Sequence, residues 1–400
     1  MTVKERFLRY VAIDTGADEN SGTHPSSDKQ WTLARMLEQE LTSLGAQDVR
    51  VSEQCVVYAS FPANTENQPA IGFIAHMDTS PSVPTGPVHA RSVFYEGGDL
   101  TIGHGVVLTE KAFPELSKNA GQELIVTDGT TLLGGDDKAG VAAIMAACER
   151  MVNDPSIKHG KLCIAFTPDE EIGEGVDYFD VAGFGADFAY TVDGGAPSML
   201  NYECFNACSA EVTVLGVNVH PGTSKNIMKN AALIATEFAA LLPPAETPAH
   251  TEHREGFYHL ASINGEEIKA TLRYIIRDHD RQTFEARKQR MLDTAAFLSG
   301  KYGDGTVTVA MKDSYYNMRD EIDKHPEVVE RALDGIRAIG ETPNVVPIRG
   351  GTDGSRLTYM GLPCPNLPAG MHNVHGLMEY VSVPELEKVT QLIIEIAKAR

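Results

Sequence analysis

The chain has 400 residues, 42% hydrophobic and 22% charged, an ordinary globular composition whose length favours two or three domains over one. Acidic residues outnumber basic ones 55 to 34, and the net charge of −21 argues against nucleic acid or anionic membrane surfaces as partners. Six cysteines are too sparse for a disulfide scaffold, and Cys204 and Cys208 have no second pair to complete a zinc site, so the thiols read as buried in a reducing compartment.

The first segment, with Val3, Phe7, Leu8, Val11 and Ala12 at helical spacing, reads as an amphipathic helix and not a signal peptide. No apolar run approaches membrane-spanning length and no N-glycosylation triplet occurs, so a soluble, cytoplasmic protein is expected. Helical and strand patterns then alternate to about residue 204, with helices at 31–44 and 140–152 and strands at 70–75 and 161–167. That alternation predicts an α/β layer fold with a largely parallel sheet.

From about 205 the rhythm changes to strand (210–219), helix (226–242), two strands, helix (283–298) and strand (306–311). Asn264 and Gly265 between the middle strands give a hairpin signal. This segment is expected to form a smaller α+β domain, four antiparallel strands with two helices on one face, in a ferredoxin-like order. After about 317 a helix (327–339), a strand (345–348), the loop RGGTDGS and a last helix (384–399) restore the α/β pattern. The expected organisation is therefore a discontinuous domain of residues 1–204 and 318–400, interrupted by a domain of residues 205–317.

Four apolar, strand-like stretches run directly into metal-ligand side chains: IGFIAHMD, TLLGGDDKAG, LCIAFTPDEE and FAYTVDGG. In open α/β sheets, ligands bind at the carboxyl ends of the strands, so His76, Asp136, Glu170, Glu171 and Asp193 are expected to converge. Hydrolysis of an unactivated amide needs a strong nucleophile and a polarised carbonyl, both of which two zinc-type ions sharing a water can supply. Asp78, two residues beyond His76 on the same face of an extended chain, is placed to hold the imidazole. Of Glu170 and Glu171, one is expected to bind metal and the other to shuttle the proton as general base and then acid. Three carboxylates and one hydroxide would neutralise two divalent cations, leaving one glutamate free. A second histidine ligand should come from MHNVHGLMEY, where the pattern does not choose between His372 and His375. Gly129 and Gly134 have P-loop spacing, but Gly135 stands where the lysine should be, and neither HExxH nor GxSxG occurs.

Taken together these segments resemble the tripeptide aminopeptidases within the family of dinuclear zinc peptidases, acylases and succinyl-diaminopimelate desuccinylases. The resemblance spans essentially the whole chain, through GFIAHMDTSP, TLLGGDDKAG, AFTPDEEIG, YTVDGG, NVHPGTSK, YIIRDHDR, DSYYNMR and PIRGGTDGS. It implies a catalytic domain of zinc-exopeptidase architecture and a lid or dimerisation domain inserted into it. It also implies two Zn²⁺ per subunit, with cobalt or manganese as substitutes. His76, Asp136 and Asp193 would hold one ion and Asp136, Glu171 and His375 the other, with Asp136 bridging, Glu170 as general base and Asp78 as the supporting carboxylate. The family's Asp-x-Lys and His-x-x-x-Glu patterns select Asp136 through Lys138 and His375 through Glu379. His220 would reach the scissile carbonyl oxygen and Arg277 the substrate's terminal carboxylate, where a guanidinium fork fits well.

The activity implied is release of the N-terminal residue from tripeptides, the nearest alternatives being a carboxypeptidase, a dipeptidase or an amino-acid deacylase of the same superfamily. Small peptides are the expected partners, and the strand edge or helical face of the inserted domain could mediate a homodimer. The chain departs from the family pattern at Glu174, where a basic residue is usual, and at Leu377 and Met378, where HGKHEF is the family form.

Overall fold

The computed structural model describes residues 1–400 and divides into two compact units. The first comprises Met1–Tyr202, Asp320–Val346 and Thr352–Arg400; the second comprises Glu203–Arg319 and Pro347–Gly351. Pro347–Gly351 differs from the sequence expectation, which gave it to the larger unit as the end of a strand and the start of the RGGTDGS loop. The strand covers only Asn344–Val345. Beyond it, Ile348 donates to Glu203 O (2.8 Å), Phe205 donates to Gly350 O (3.2 Å), and the Arg349 guanidinium donates to the carbonyls of His253 (2.9 Å) and Glu255 (3.0 Å). Those bonds tie the segment to the second unit.

The first unit is built on a six-stranded sheet in the order Gln47–Val51, Val57–Phe61, Leu162–Thr167, Ile71–His76, Phe188–Val192, Asn366–Leu367. The last four run parallel, and the first two join antiparallel at one edge. Both faces of the sheet are covered, which is why its central strands are apolar throughout instead of alternating with polar residues. Phe73, Ala75, Ile164, Phe166, Tyr190 and Val192 pack with the helices Val3–Val11, Gly135–Asn153 and Val383–Ala397 on one side. Ile74, Cys163, Ala165 and Ala189 pack with Phe179, Phe184 and Leu357 on the other. A period of two thus divides each strand between two cores.

Register sets the level of the strand ends. His76 pairs with Thr167 and Ile74 with Thr191, so the chain leaves three adjacent strands at one height. A second, antiparallel sheet of Met371–His372, Tyr380–Ser382, Gln122–Val126 and Arg91–Tyr95 has no counterpart in the elements read from the sequence. It carries the 372–379 loop to the site.

The second unit has a βαββαβ order, with strands Asn206–Leu215, Phe257–Gly265, Lys269–Asp278 and Val307–Tyr315 and helices Ala231–Leu241 and Arg281–Tyr302. Its antiparallel sheet is ordered Phe257–Gly265, Lys269–Asp278, Asn206–Leu215, Val307–Tyr315. The first strand lies four residues earlier than expected, and the first helix begins only at Ala231, where Asn230 accepts from the Leu233 amide as its cap. The hairpin turn also moves. Asn264 and Gly265 remain in the strand, Gly265 pairing with Ala270, and the reversal follows at 266–268, closed by Glu266 N–H donating to Lys269 O (2.8 Å). A Cβ on Gly265 would sit 2.4 Å from that of Ala270, so close approach of the paired strands, not turn geometry, requires the glycine.

The core of this unit centres on Phe238, fully buried with its ring 6.2 Å from Tyr274. Phe238→Ala is expected to destabilise it by about 3–5 kcal/mol, seen as an earlier urea transition. An unchanged midpoint would show that the helix Ala231–Leu241 does not anchor this core.

Candidate metal centre

His76, the 170–171 turn and Asp193 sit at strand ends, whereas Thr131–Leu133, strand-like in the sequence, form no strand and deliver Asp136 from a loop. His76 is the last residue of its strand, Glu170 and Glu171 lie in a single 3₁₀ turn three residues beyond Thr167, and Asp193 immediately follows Val192. Asp136 occupies a non-helical stretch at the start of Gly135–Asn153, and the Asp136–Asp137 peptide is cis. The structure brings all of these together with His375. The donor atoms of His76, Asp136 and Glu171 lie within 4.8 Å of one another, as do those of His76, Asp137 and Asp193.

Asp136 stands at the middle. Its Oδ1 is 2.9 Å from His76 Nε2 and its Oδ2 is 3.1 Å from His375 Nε2. His375 Nε2 is also 3.0 Å from Glu171 Oε2, while His76 Nε2 is 3.8 Å from Asp193 Oδ1 and 4.0 Å from Glu170 Oε2. Asp137, though close to His76 and Asp193, is already engaged: its Oδ2 accepts from the His76 amide (3.2 Å) and its Oδ1 from the Gly140 amide (3.1 Å). Asp136 thus has an imidazole at each oxygen, whereas Asp137 braces the loop. Gly140 permits this, since a Cβ there would fall 2.0 Å from Val192 O and 2.5 Å from Asp137 Oδ1.

The supporting contacts are equally specific. Asp78, fully buried, places Oδ1 3.3 Å from His76 Nδ1 and accepts from the amides of Glu170 and Glu171 (both 3.1 Å). One carboxylate thereby orients the imidazole and fixes the two glutamates. The two candidate histidines separate clearly. His372 Nε2 lies 2.6 Å from Glu385 Oε2 with its ring stacked on Tyr380, away from the cluster, and His375 is the one that reaches it.

Two supporting roles escaped the sequence reading, one of them that of Glu379, which entered it only as a pattern marker for His375. Glu379, buried, accepts from the amides of Leu133 (2.8 Å), Gly134 (2.9 Å) and Asp136 (3.0 Å) and so holds the loop carrying Asp136. Asn366 accepts from the Asp193 amide (3.2 Å) and donates to the Asp193 carbonyl (3.0 Å). A single acid in MEYVSV and a single amide in PCPNLPA, each inside an apolar run, were the available signals.

His220 and Arg277 lie in the second unit. His220 is exposed in a 3₁₀ turn, its Nδ1 accepting from the Gly222 amide (3.1 Å). Arg277, half-buried, donates through Nη1 to Ile276 O (3.0 Å) and Cys208 O (3.4 Å), with its guanidinium 5.6 Å from the Tyr315 ring centre.

The electrostatics call for cations. Burial raises Glu170, and the charges of Asp353, Glu171 and Asp136 raise it further. Burial and the neighbouring Asp136 and Asp137 likewise push Asp193 up, and burial raises Glu171. Asp136 is held down despite its burial by the imidazoles of His375 and His76. Glu171 Oε1 is buried with no hydrogen-bond partner. Buried carboxylates of this density are stable when paired or bound to metal, and an imidazole and carboxylate donor set fits zinc.

Residues 128–399 match the model of the peptidase family M20/M25/M40. The chain belongs to that family. It is 53% identical over 399 residues to a peptidase T of Desulfitobacterium hafniense (strain Y51), covering 99% of this chain and 97% of the relative. It is 51% identical over 398 residues to a peptidase T of Geobacillus kaustophilus (strain HTA426), covering 98% and 97%. Among solved structures, aminopeptidase PepT from Bacillus cereus ATCC 10987 superposes with a TM-score of 0.78 at 22% identity, and a tripeptidase from Staphylococcus aureus with 0.79 at 22%, each over 99% of this chain and 97% of the other. These two share its fold. The chain is a peptide-bond hydrolase.

In metal-free protein, His375 is raised to about 10 from 6.5 by Asp136 and Glu171, and hydrogen bonds to Asp136 and Asp78 lift His76 although burial opposes them. The folded state then binds more protons than the unfolded chain, as raised Glu170 and Asp193 also require, so stability falls as pH rises from 6.5 through about 10. The depressed Asp136 acts oppositely, but only at acidic pH. Melting temperatures of chelator-treated protein should fall across that window and flatten on adding zinc; a flat metal-free profile would contradict this. Separately, Asp78→Ala should weaken zinc binding by about 10–100-fold in a chelator competition, because His76 loses its orienting partner.

Proposed function

We propose that this chain is a metallo-aminopeptidase that releases the N-terminal residue of tripeptides, with zinc ions held by His76, Asp136 and Asp193 on one side and Asp136, Glu171 and His375 on the other. The observation that carries this reading is Asp136, whose two oxygens each face a different imidazole while Glu170 lies buried beside them with no imidazole closer than 4.0 Å. Two such ions, when bound, would lower the pKa of a shared water and polarise the scissile carbonyl.

Glu170 is the group we assign to proton transfer. Burial among like charges gives its carboxylate a raised proton affinity, so it can accept a proton from the attacking water and then release it to the leaving amine. Asp78 holds the Glu170 and Glu171 amides, which separates the roles of two adjacent side chains.

His220 and Arg277 are assigned to substrate. Because His220 Nδ1 accepts a hydrogen bond, its Nε2 carries the proton and can donate to the carbonyl oxygen. Arg277 engages carbonyls through Nη1, and the rest of its fork suits a carboxylate. In this reading the second unit is the family's ferredoxin-like lid or dimerisation domain. Recognition of both peptide termini would explain selection for one peptide length, because a longer chain cannot place both charges at once. No helix is long and apolar enough to cross a membrane. All six cysteines are buried and none is in a disulfide, which supports a reducing setting for peptide catabolism.

A free tripeptide should be cleaved at its N-terminal bond, whereas its N-acetyl form and its C-terminal amide should be cleaved far more slowly. Equal rates on all three would sink the two-termini reading, and release of the C-terminal residue would make the enzyme a carboxypeptidase. Glu170→Ala should lower kcat by about 10²–10⁴-fold while retaining zinc.

A further inference from the structure

The residue before the proposed base has a buried carboxylate that the chemistry above does not use. Asp169 is fully buried and adopts φ 55°, in the left-handed region that non-glycine residues seldom occupy. Its carboxylate is satisfied from one short segment. Oδ2 accepts from the Ser26 amide (2.7 Å), Oδ1 accepts from the Ser26 hydroxyl and from Gln30 Nε2 (2.6 Å), and His24 Nδ1 stands 3.3 Å from Oδ2. The segment is itself braced: Ser26 Oγ accepts from the Asp18 amide (3.0 Å), and the His24 ring packs against Tyr178 with centroids 4.8 Å apart. The Asp169 carbonyl accepts from the Glu174 amide (3.0 Å), closing the turn that contains Glu170 and Glu171.

Three consecutive residues are thus fixed by two carboxylates. Asp169 is tied through its side chain to residues 24–30, and Glu170 and Glu171 through their amides to Asp78. We propose that Asp169 is a positioning residue, and that residues 24–30 act through it to aim Glu170. A left-handed residue at this point sets the direction in which the chain leaves the strand Leu162–Thr167, and a displacement of about 1 Å at a reacting group costs on the order of 10² in rate. A brace that served only to attach residues 18–30 to the sheet would affect stability and leave turnover of folded protein unchanged.

The inference rests on Glu170 being the base, so the test separates the two. Asp169→Asn, Gln30→Met, their double variant and Glu170→Gln are compared in the zinc-loaded enzyme for kcat and KM on a free tripeptide and for zinc content. Asp169→Asn and Gln30→Met should each lower kcat at least tenfold, with KM within twofold and zinc content unchanged. The double variant should lose no more than Asp169→Asn alone, because both act through one contact. Gln30→Met keeps the side-chain volume and reads the same contact if Asp169→Asn fails to fold. If Glu170→Gln abolishes turnover while both folded single variants keep kcat within twofold, or lose activity through KM or zinc content, this inference is overturned and the base assignment stands. Full turnover in Glu170→Gln would overturn both.

Discussion

One constraint governs the centre of the first unit: at least five acidic side chains crowd around two imidazoles at the carboxyl ends of neighbouring strands. Asp78, Asp136, Glu170, Glu171 and Asp193 cannot all be ionised there without compensating positive charge, and His76 and His375 supply two charges at most. Isolated buried carboxylates would neutralise or unfold the site. Cations resolve the conflict, and the placement of Asp136 between the two histidines gives them somewhere to sit. Under the proposed reading, the same excess of acid that would destabilise the metal-free centre leaves Glu170 with a raised proton affinity for catalysis.

The fold contributes aligned strand ends and rigid backbone anchors. The register of three parallel strands brings His76, the 170–171 turn and Asp193 to one level, though 117 residues separate the first from the last. Buried side chains then fix the loops: Glu379 collects three amides around Asp136, Asp78 two at the glutamates, Asn366 both backbone groups of Asp193, and Asp169 the loop before them. Each anchor is a polar group whose burial is acceptable because its hydrogen bonds are met. Precision at the centre therefore comes from elements separated widely along the chain.

The convergence of His76, Glu170, Glu171 and Asp193 was legible because each ends or follows an apolar strand, where a polar residue stands out; Asp136 was found from an apolar run that forms loop instead of strand. His375 was harder. Two histidines lie in one loop, and only the resemblance at Glu379 chose between them; the stacking of His372 on Tyr380 and its pairing with Glu385 are long-range contacts that no local pattern encodes. The supports were less visible still, since Glu379, Asn366 and Asp169 act through backbone amides brought near by tertiary structure. Element boundaries failed for related reasons. Asn264-Gly265 has turn chemistry, but a tight strand pair claimed the glycine, and Pro347–Gly351 followed its hydrogen bonds to Glu203, Phe205 and His253 instead of the rhythm of its neighbours.

The most direct test of the central claim is the anomalous diffraction signal at the zinc edge from crystals grown with zinc. The account predicts two peaks about 3.5–4 Å apart, with Asp136 lying between them, His76 at one and His375 at the other. A single peak, or a pair not bridged by Asp136, would contradict it.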